Sequence, residues 1–283
     1  MVTNIDREHL DHYPTLEAIR AAFIEFVNKV PFYGAAVVCL DDPNVQGILP
    51  EINRRTITYG TSSQAGIEAT EINCGAFASD FCLARGAADL GRFHLRVPGR
   101  HNVLNAMAAA AVGLELEVAP GVIREALATF TGVERRFQLR GEQRGITVID
   151  DYGHHPTEIR ATLDGARLCG FRRIHVLFQP HRYTRTLHLM DEFAGAFHQA
   201  DSLFVTDIYA AAEKPIEGVT AEALVDRIRQ FGHRSAEYVG TIDRGVEALV
   251  EVAEPGDLVL TLGAGNVWQA GEKVLAELSG KKI

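Results

Sequence analysis

The second half of the chain alternates short apolar runs with amphipathic stretches that carry apolar residues at helical spacing. The predicted strands are residues 146–150, 173–178, 202–207 and 257–262. The predicted helices are residues 157–168, 186–199, 220–231 and 242–253. Regular alternation of this kind is typical of βαβ units around a parallel sheet. We therefore predict that residues 132–283 form a doubly wound, Rossmann-like α/β domain.

The first half has a less regular pattern. Thr15 is a plausible N-cap for a helix over residues 16–29, and the apolar run 35–40 predicts a buried strand that ends in turn residues. Residues 54–97 are β-rich. A helix rich in small residues follows at 101–113, ended by Gly113, and Pro120 begins another. The change of pattern near residue 131 predicts a separate α/β domain over residues 1–131.

Length and composition fit this division. The 283 residues suffice for about two domains, and 47% of them are hydrophobic. The net charge of -9 removes any sequence-wide basic signal for nucleic acid or an anionic membrane. The 4 cysteines include no CxxC pair, which argues against a zinc site or a disulfide framework. No signal peptide or membrane-spanning run is present, so we expect a cytoplasmic protein.

Polar residues follow four of the predicted strands in the second half. These segments are residues 150–156, 179–185, 207–209 and 263–266. In an open parallel sheet the carboxyl ends of the strands meet at one edge, where ligands bind. The convergence of four polar loops therefore predicts a ligand site at this edge.

Each loop taken alone has a structural alternative. Asp150 and Asp151 are equally suited to capping or turn formation, and the sequence GAG at 263–265 lacks the third glycine of a dinucleotide fingerprint. His154 and His155 lack the i, i+4 spacing of a helical zinc pair. The segment HRYTR at 181–185 is more informative. Its two arginines, in an acidic protein, suit a carboxylate or phosphate ligand.

Two segments in the first half also carry candidate chemistry. His101 and Asn102 open a predicted helix, where they would either cap it or, with Asn105, read the edge of a purine. The N-terminal segment is either a polar loop or a magnesium site. The residues that would form the magnesium site are Asp6, His9, Asp11 and His12.

Longer motifs resemble the bacterial Mur ligases, and they extend over essentially the whole chain. They are NIDREHLDHY (4–13), PFYGAAVVCLDDP (31–43), VPGRHNVLNAMAA (97–109), GVERRF (132–137), DDYGHHPTEIRAT (150–162), FQPHRYTRT (178–186), DIYAAAEKPIEG (207–218) and LTLGAGNVW (260–268). The pattern is most similar to the branch of the family that joins L-alanine to UDP-N-acetylmuramate during peptidoglycan precursor synthesis.

The resemblance implies an ATP- and Mg2+-dependent ligase that forms an acyl phosphate on UDP-N-acetylmuramate before the amine of L-alanine attacks it. It implies that His9 helps to bind magnesium. The adenine-side residues would be His101, Asn102 and Asn105. Arg136 and Asp151 would reach ATP. The residues around the amino-acid substrate would be Tyr152, His154, His181, Arg182 and Arg185.

The family carries a UDP-binding domain and a P-loop, but no GxxxxGK[ST] string occurs in this chain. We therefore expect residues 1–131 to be the C-terminal part of the central ATP-binding domain and residues 132–283 to be the amino-acid-binding domain. A truncated ligase of this kind would be inactive alone. An exposed edge of the incomplete sheet would favour pairing between copies. Two other hypotheses stay open: a truncated ligase of the tripeptide-adding recycling branch, and a non-catalytic nucleotide- or anion-binding module.

Overall fold

The computed structural model describes residues 1–10 and 12–280. The chain divides into two compact units, the first comprising Met1–Thr131 and the second beginning at Gly132. Each unit has its own sheet and its own apolar core. The α/β fold class predicted from the sequence is confirmed.

The described part of the first unit contains four helices, a short 3-10 helix and five strands. In chain order they are α1 (Leu16–Asn28), β1 (Ala36–Cys39), α2 (Pro43–Ile48), the 3-10 helix (Leu49–Glu51), β2 (Thr56–Gly60), β3 (Ile67–Cys74), β4 (Ser79–Arg85), β5 (Ala88–Leu95), α3 (Arg100–Glu115) and α4 (Pro120–Thr129). The strands lie in the order β1-β2-β3-β4-β5. The first three are parallel, and β4 and β5 continue the sheet as antiparallel strands.

Helix caps in this unit follow the local sequence. The Thr15 side chain accepts a hydrogen bond from the amide of Ala18 at the start of α1, as predicted. Asp42 caps α2 in the same way, so the segment predicted as a simple turn begins a helix. Gly113 does not end α3. A Cβ at Gly113 would lie 3.0 Å from the side chain of Ile123, so glycine at this position allows α4 to pack closely.

The second unit contains six strands and six helices in its described part. In chain order they are β6 (Gln138–Gln143), β7 (Ile146–Asp151), α5 (Pro156–Leu168), β8 (Ile174–Phe178), α6 (Tyr183–His188), α7 (Met190–Ala194), β9 (Ser202–Thr206), α8 (Ala221–Gln230), β10 (Ala236–Gly240), α9 (Ile242–Val252), β11 (Leu258–Leu262) and α10 (Trp268–Ser279). The four strands predicted from apolar runs are all present.

The second sheet has the order β10-β9-β8-β11-β7-β6. All its neighbouring pairs are parallel except β6 and β7, which are antiparallel. The central strands β8 and β11 are buried along their whole length, as expected for strands covered on both faces. This topology sends the ends of β7, β8, β9 and β11 to one edge.

The helix predicted over residues 186–199 is wrong in its bounds. The structure has two short helices that meet at Leu189, whose φ of -120° and ψ of 24° are not helical. The apolar spacing that suggested one helix continues across this break, because Phe193 and Phe197 both pack against Phe178 with ring centroids 5.7 and 5.0 Å away. The regular spacing of buried apolar side chains therefore continues across the point where the helical backbone is interrupted.

Candidate functional site

The four polar loops predicted to converge do lie at the carboxyl edge of the second sheet. Gln179, directly after β8, donates from its backbone amide to Leu262 at the end of β11. Gly263, after β11, donates to the carbonyl of Asp151 at the end of β7. His181 and Tyr209, after β8 and β9, form a parallel bridge. Hydrogen bonds between neighbouring loops thus hold the edge together.

Arg135 gathers several of these loops from a position before β6. Its Nε donates to Asp150 Oδ2 at 3.0 Å, and Nη2 donates to the carbonyl of Gly263 at 2.6 Å. Its own carbonyl accepts the amide of Tyr152, and its guanidinium lies 4.9 Å from the centroid of that ring. Asp150 is fully buried, and Thr261 donates to its other oxygen. The ion pair between Arg135 and the buried Asp150 thus helps to hold these loops together.

Asp151 supports the loop that follows β7. Its Oδ1 accepts the amide of Gly153 at 2.7 Å, and its Oδ2 accepts the amide of Phe137 at 2.8 Å. Burial raises the pKa of this carboxyl, against the lowering effect of those two amides. In this structure the side chain that the resemblance assigns to ATP is engaged in shaping the backbone.

The start of α5 fixes His154. His155 is the N-cap and forms a capping box with Glu158. Glu158 Oε2 accepts the amides of His154 and His155, and Oε1 accepts a hydrogen bond from Arg136 at 3.2 Å. Burial raises the pKa of Glu158, but its interactions with His154, including the hydrogen bond from that amide, and with Arg136 outweigh burial and leave that pKa lowered. The histidine pair is therefore held by helix capping, in agreement with the absence of zinc spacing.

The aromatic rings at this edge form a contiguous row. Tyr152 meets His154 edge to face with centroids 5.2 Å apart, and His154 lies 5.8 Å from His181. His181 stacks on Tyr209 at 5.5 Å with an interplanar angle of 11°. Three of the side chains predicted to surround the amino-acid substrate thus form one row, with His154 between Tyr152 and His181, and Tyr209 extends it.

Arg185 completes this group from the first turns of α6. Its Nη1 lies 3.1 Å from the carbonyl of His181 and 3.2 Å from His181 Nδ1. Burial, followed by Arg185, His154 and Arg182, lowers the pKa of His181 to about 4. His181 is therefore neutral at neutral pH, where its Nδ1 accepts the hydrogen bond from Arg185.

Arg182 occupies a strained position at the start of α6. Its φ is +70°, in the left-handed region, and its amide donates to the carbonyl of Tyr209. Its Nη1 lies 3.8 Å from Glu213 Oε1. Ala211 and Ala212, just before this glutamate, also have positive φ values of 47° and 68°. Left-handed backbone costs a non-glycine residue about 1 to 2 kcal/mol, so the contacts of these loops must offset that strain.

A glycine allows the loop after β11 to pack against this edge. A Cβ at Gly265 would lie 2.2 Å from Gln179 Oε1 and 2.9 Å from Cγ of Tyr209. The Gln179 amide donates to Asn266 Oδ1 at 3.0 Å, and its Oε1 is buried without a hydrogen-bond partner. The GAG segment is thus explained by close packing of loops, which is the structural alternative to a dinucleotide motif.

In the first unit, the adenine-side candidates lie on α3. Gly99, with a φ of +95°, is the N-cap and provides no side chain, so neither His101 nor Asn102 is the N-cap residue. The Asn102 amide donates to the carbonyl of Pro98 at 2.7 Å, and Asn105 is exposed one turn further along. His101 is half-buried beside Gly99. The two amides share one side of the helix start, and an amide can pair with the donor and acceptor groups of a purine.

A second polar group lies at the carboxyl edge of the first sheet. Asp41 accepts hydrogen bonds from both the amide and the hydroxyl of Thr61 at 2.8 Å each. Arg100, the first residue of α3, donates to the Thr61 hydroxyl at 2.7 Å and lies 3.7 Å from Asp41 Oδ2. These contacts connect β1 and β2 to the start of α3.

The structure describes three of the four N-terminal candidates for a magnesium site: Asp6, His9 and His12. His9 is exposed with a φ of +54°, and its carbonyl accepts the amides of His12 and Tyr13. Asp11, one of the four candidate ligands, lies outside the described residues. Among residues 1–10 and 12–280, no three His, Cys, Asp or Glu side chains are grouped to hold a metal ion. His9 as a metal ligand stays a prediction.

Three residues at the second edge were not singled out from the sequence: Arg135, Gln179 and Glu213. All three lie within quoted motifs, but their importance depends on contacts with loops distant in sequence. Arg135 precedes the residue that the resemblance marked, and in the sequence alone nothing separates the two arginines.

Comparisons with known proteins agree with this architecture. Residues 1–113 match the model of the Mur ligase middle domain, and residues 135–265 match that of the Mur ligase, glutamate ligase domain. The chain belongs to the Mur ligase family. It is 78% identical over 278 residues to the UDP-N-acetylmuramate--L-alanine ligase of Solibacter usitatus, covering 98% of this chain and 59% of that relative. It is 52% identical over 284 residues to the ligase of the same name from Geobacter sp., covering 61% of it.

Solved structures show the same arrangement of elements. The UDP-N-acetylmuramate-alanine ligase from Thermotoga maritima superposes with a TM-score of 0.77 at 26% identity, over 99% of this chain and 60% of that one. A murein peptide ligase from Psychrobacter arcticus, 20% identical, shares the fold with a TM-score of 0.68 and covers 100% of this chain and 58% of its own. The chain therefore spans about three fifths of the length of these relatives.

Within residues 1–10 and 12–280, every helix is too short or too polar to span a lipid bilayer.

Proposed function

We propose that this chain takes part in ATP-dependent ligation of L-alanine to UDP-N-acetylmuramate, a step of peptidoglycan precursor synthesis and thus of cell wall biogenesis. The observation that carries the proposal is the edge of the second sheet, where Arg182 and Arg185 lie next to a row of His and Tyr rings. The names of the relatives, at up to 78% identity over 98% of this chain, support the same activity.

The proposed role of the edge is to bind and orient the amino acid. Arg182 and Arg185 would bind the alanine carboxylate, since a guanidinium pairs well with a planar anion. Tyr152, His154 and His181 would surround the rest of the molecule. Fixing the amine toward an acyl phosphate lowers the barrier by several kcal/mol through positioning alone. Because His181 is neutral at neutral pH, it adds no charge that would compete for the carboxylate.

Each unit has its own candidate residues for the nucleotide, and each set is assigned from the structure of its own unit. We assign Asn102 and Asn105, with His101 beside them, to the adenine, because exposed or half-buried amides at a helix start suit its polar edge. Arg136 is half-exposed and paired with Glu158, and we assign it to the ATP phosphates. We assign Asp151 to the surroundings of those phosphates. When bound, ATP would supply the phosphoryl group that activates the carboxylate. The described residues do not form a magnesium site by themselves, so we derive no step through Mg2+.

The partners and location follow from the same proposal. The partners are L-alanine and UDP-N-acetylmuramate, with no nucleic acid and no membrane, and the location is the cytoplasm. Pairing between copies stays a prediction. At the outer edge of β1 the structure has one isolated bridge, between Val2 and Val38. Sedimentation that gives only monomer at high concentration would contradict it.

A chimera tests the function directly. The matched segment of the Solibacter usitatus ligase is replaced by this whole chain, and ADP release is measured with UDP-N-acetylmuramate and L-alanine. We expect alanine-dependent turnover within about tenfold of the unaltered relative, because the two segments are 78% identical. A folded chimera that turns over no alanine would contradict the proposal.

The same assay separates the competing hypotheses. Replacing L-alanine by the tripeptide identifies the recycling specificity if turnover is higher with the tripeptide. ATP binding without turnover of either substrate identifies a non-catalytic module. The 283-residue chain alone is assayed in parallel, and we expect no ligation from it.

A further inference from the structure

We propose that Glu213 is a positioning residue for the amino-acid carboxylate site, setting the start of α6 and the direction of Arg182. This inference rests on the proposed function. It concerns Glu213, which lies in the loop after β9 and contacts no ligand in the proposed assignment. The three contacts of the Glu213 carboxylate carry the argument, together with the backbone conformation that places it.

The first observation is that Glu213 caps α6 from outside that helix. Oε2 accepts the amide of Thr184 at 3.1 Å, and Oε1 accepts the Thr184 hydroxyl at 2.7 Å. Arg182, the N-cap residue of α6, makes no capping hydrogen bond with its side chain. A carboxylate at a helix start satisfies amides that have no partner within the helix. Here the carboxylate comes from 29 residues further along the chain.

The second observation is that the same carboxylate faces Arg182. Arg182 Nη1 lies 3.8 Å from Glu213 Oε1, which is close enough for attraction and longer than a hydrogen bond. Glu213 thus biases the direction of the guanidinium without closing a short ion pair. Burial raises the pKa of Glu213, but the Thr184 hydrogen bonds and Arg182 outweigh it and leave that pKa lowered. The carboxylate is therefore charged at neutral pH.

The third observation is the cost of placing this side chain. Ala211 and Ala212 are consecutive and both left-handed, a conformation that non-glycine residues avoid. Arg182, at the other end of the contact, is left-handed as well. Strained backbone persists where surrounding contacts determine it, and it concentrates at functional sites. The contacts between Glu213 and the start of α6 join these two strained segments through side chains, beside the backbone hydrogen bond from Arg182 to Tyr209.

The expected consequence is specific to alanine. Without the Glu213 carboxylate, the start of α6 loosens and Arg182 loses its preferred direction, so the affinity for the alanine carboxylate falls. ATP does not use this loop in the proposed assignment. Removing Glu213 should therefore raise the KM for L-alanine while leaving the KM for ATP and the kcat at saturating alanine nearly unchanged.

The test uses the chimera that carries this chain. We expect Glu213→Ala to raise the KM for L-alanine about tenfold or more, with kcat and the KM for ATP changed less than about threefold. Glu213→Gln keeps the length and one acceptor oxygen, so its KM should lie between those of the parent and the alanine variant. Glu217→Ala is the control, since Glu217 is exposed in the same loop and carries the same charge.

A measurement on the 283-residue chain checks the structural step. Hydrogen exchange of the Thr184 amide should be faster in Glu213→Ala than in Glu217→Ala, while thermal unfolding shows whether both variants are folded. If Glu213→Ala is folded and the KM for alanine is unchanged, the inference is wrong although the proposed function stands. If kcat and both KM values worsen together with the melting temperature, the residue is merely structural and the inference is also wrong. An inactive parent chimera would remove the proposed function, and the inference with it.

Discussion

Arg135 Nε donates a hydrogen bond to Asp150 Oδ2 at 3.0 Å, and the carboxylate that accepts it is fully buried. The same guanidinium donates to the carbonyl of Gly263. The end of β7 and the loop after β11 are therefore joined through one side chain that belongs to neither element.

Arg135→Met should lower the free energy of unfolding by about 3 kcal/mol, because it leaves the buried Asp150 carboxylate without its charged partner. Arg136→Met is the matched control. The Arg136 side chain is 50% exposed, so its pair with Glu158 is a surface interaction and its loss should cost about 1 kcal/mol or less. Urea titration of both variants measures the difference. Equal losses of unfolding free energy in the two variants would mean that the ion pair between Arg135 and Asp150 contributes no more than a surface pair.

Two glycines of the second unit should respond oppositely to a methyl group. Gly265→Ala should destabilise the chain by about 1 to 3 kcal/mol, because its Cβ would overlap Gln179 Oε1 and crowd Tyr209. Gly165→Ala should stabilise it by about 0.5 to 1 kcal/mol, since Gly165 lies inside α5 with nothing within 4 Å of the added atom. Thermal unfolding gives both signs in one experiment. Stabilisation by Gly265→Ala would contradict the packing described for the loop after β11.

Asp257, at the opposite edge of the second sheet, should make stability sensitive to acid. Burial raises the pKa of this carboxyl, but hydrogen bonds from Arg172 and His175 outweigh it and lower the pKa to about 2. Since the folded pKa lies below that of the unfolded chain, the carboxylate stabilises the fold above about pH 4 and ceases to do so as pH falls through 2. The contribution is about 2 kcal/mol. Urea titrations at pH 5 and pH 3 should show a smaller loss in Asp257→Asn than in the parent.

His181 should titrate far below an ordinary histidine. Burial lowers its pKa to about 4, with Arg185 as the next cause. In the folded chain His181 stays neutral between pH 6.5 and 4, whereas the unfolded chain takes up the proton, so its contribution to stability falls as pH drops through this window. Imidazole signals followed by NMR should give the low value directly. Arg185→Met should raise it toward 6.5, while Arg160→Met, on the exposed side of α5, should leave it unchanged.

Arg182→Ala and Arg185→Ala should weaken alanine dependence in the chimera. Each removes a charge-assisted contact worth about 1.5 to 3 kcal/mol, so the KM for L-alanine should rise about 10- to 100-fold. ATP affinity should change little, because the resemblance assigns the phosphates to Arg136. An equal loss of ATP affinity would show that the two arginines do not bind the amino acid.

The pattern of apolar residues was sufficient for the central part of the second sheet. Strands β7, β8, β9 and β11 are mainly apolar and buried over most of their length because both faces are covered, and their ends indicated the edge where the polar loops meet. The edge strand β6 was missed because its sequence, QLRGEQ, is polar and contains Gly141, with a register shift between Leu139 and Gly141. Strand β10, at the other edge, was also not predicted, because it is a short run.

The candidate site was predictable to the extent that its residues share a motif. His181, Arg182 and Arg185 lie within five residues, and their chemistry suggested an anion ligand. Glu213 could not be found in this way. Its contact with Thr184 crosses 29 residues and depends on two left-handed alanines, a conformation for which alanine gives no local signal.

Strand β11 comes late in the chain but lies in the middle of its sheet, between β8 and β7. During synthesis, β7 and β8 therefore leave the ribosome long before the strand that both must pair with. The loop that follows β11 also supplies the carbonyl of Gly263 to Arg135. The second unit can complete its sheet, and with it the candidate site, only after residues 258–265 have been made. Translation order thus delays formation of the site until nearly the whole unit is available to fold around it.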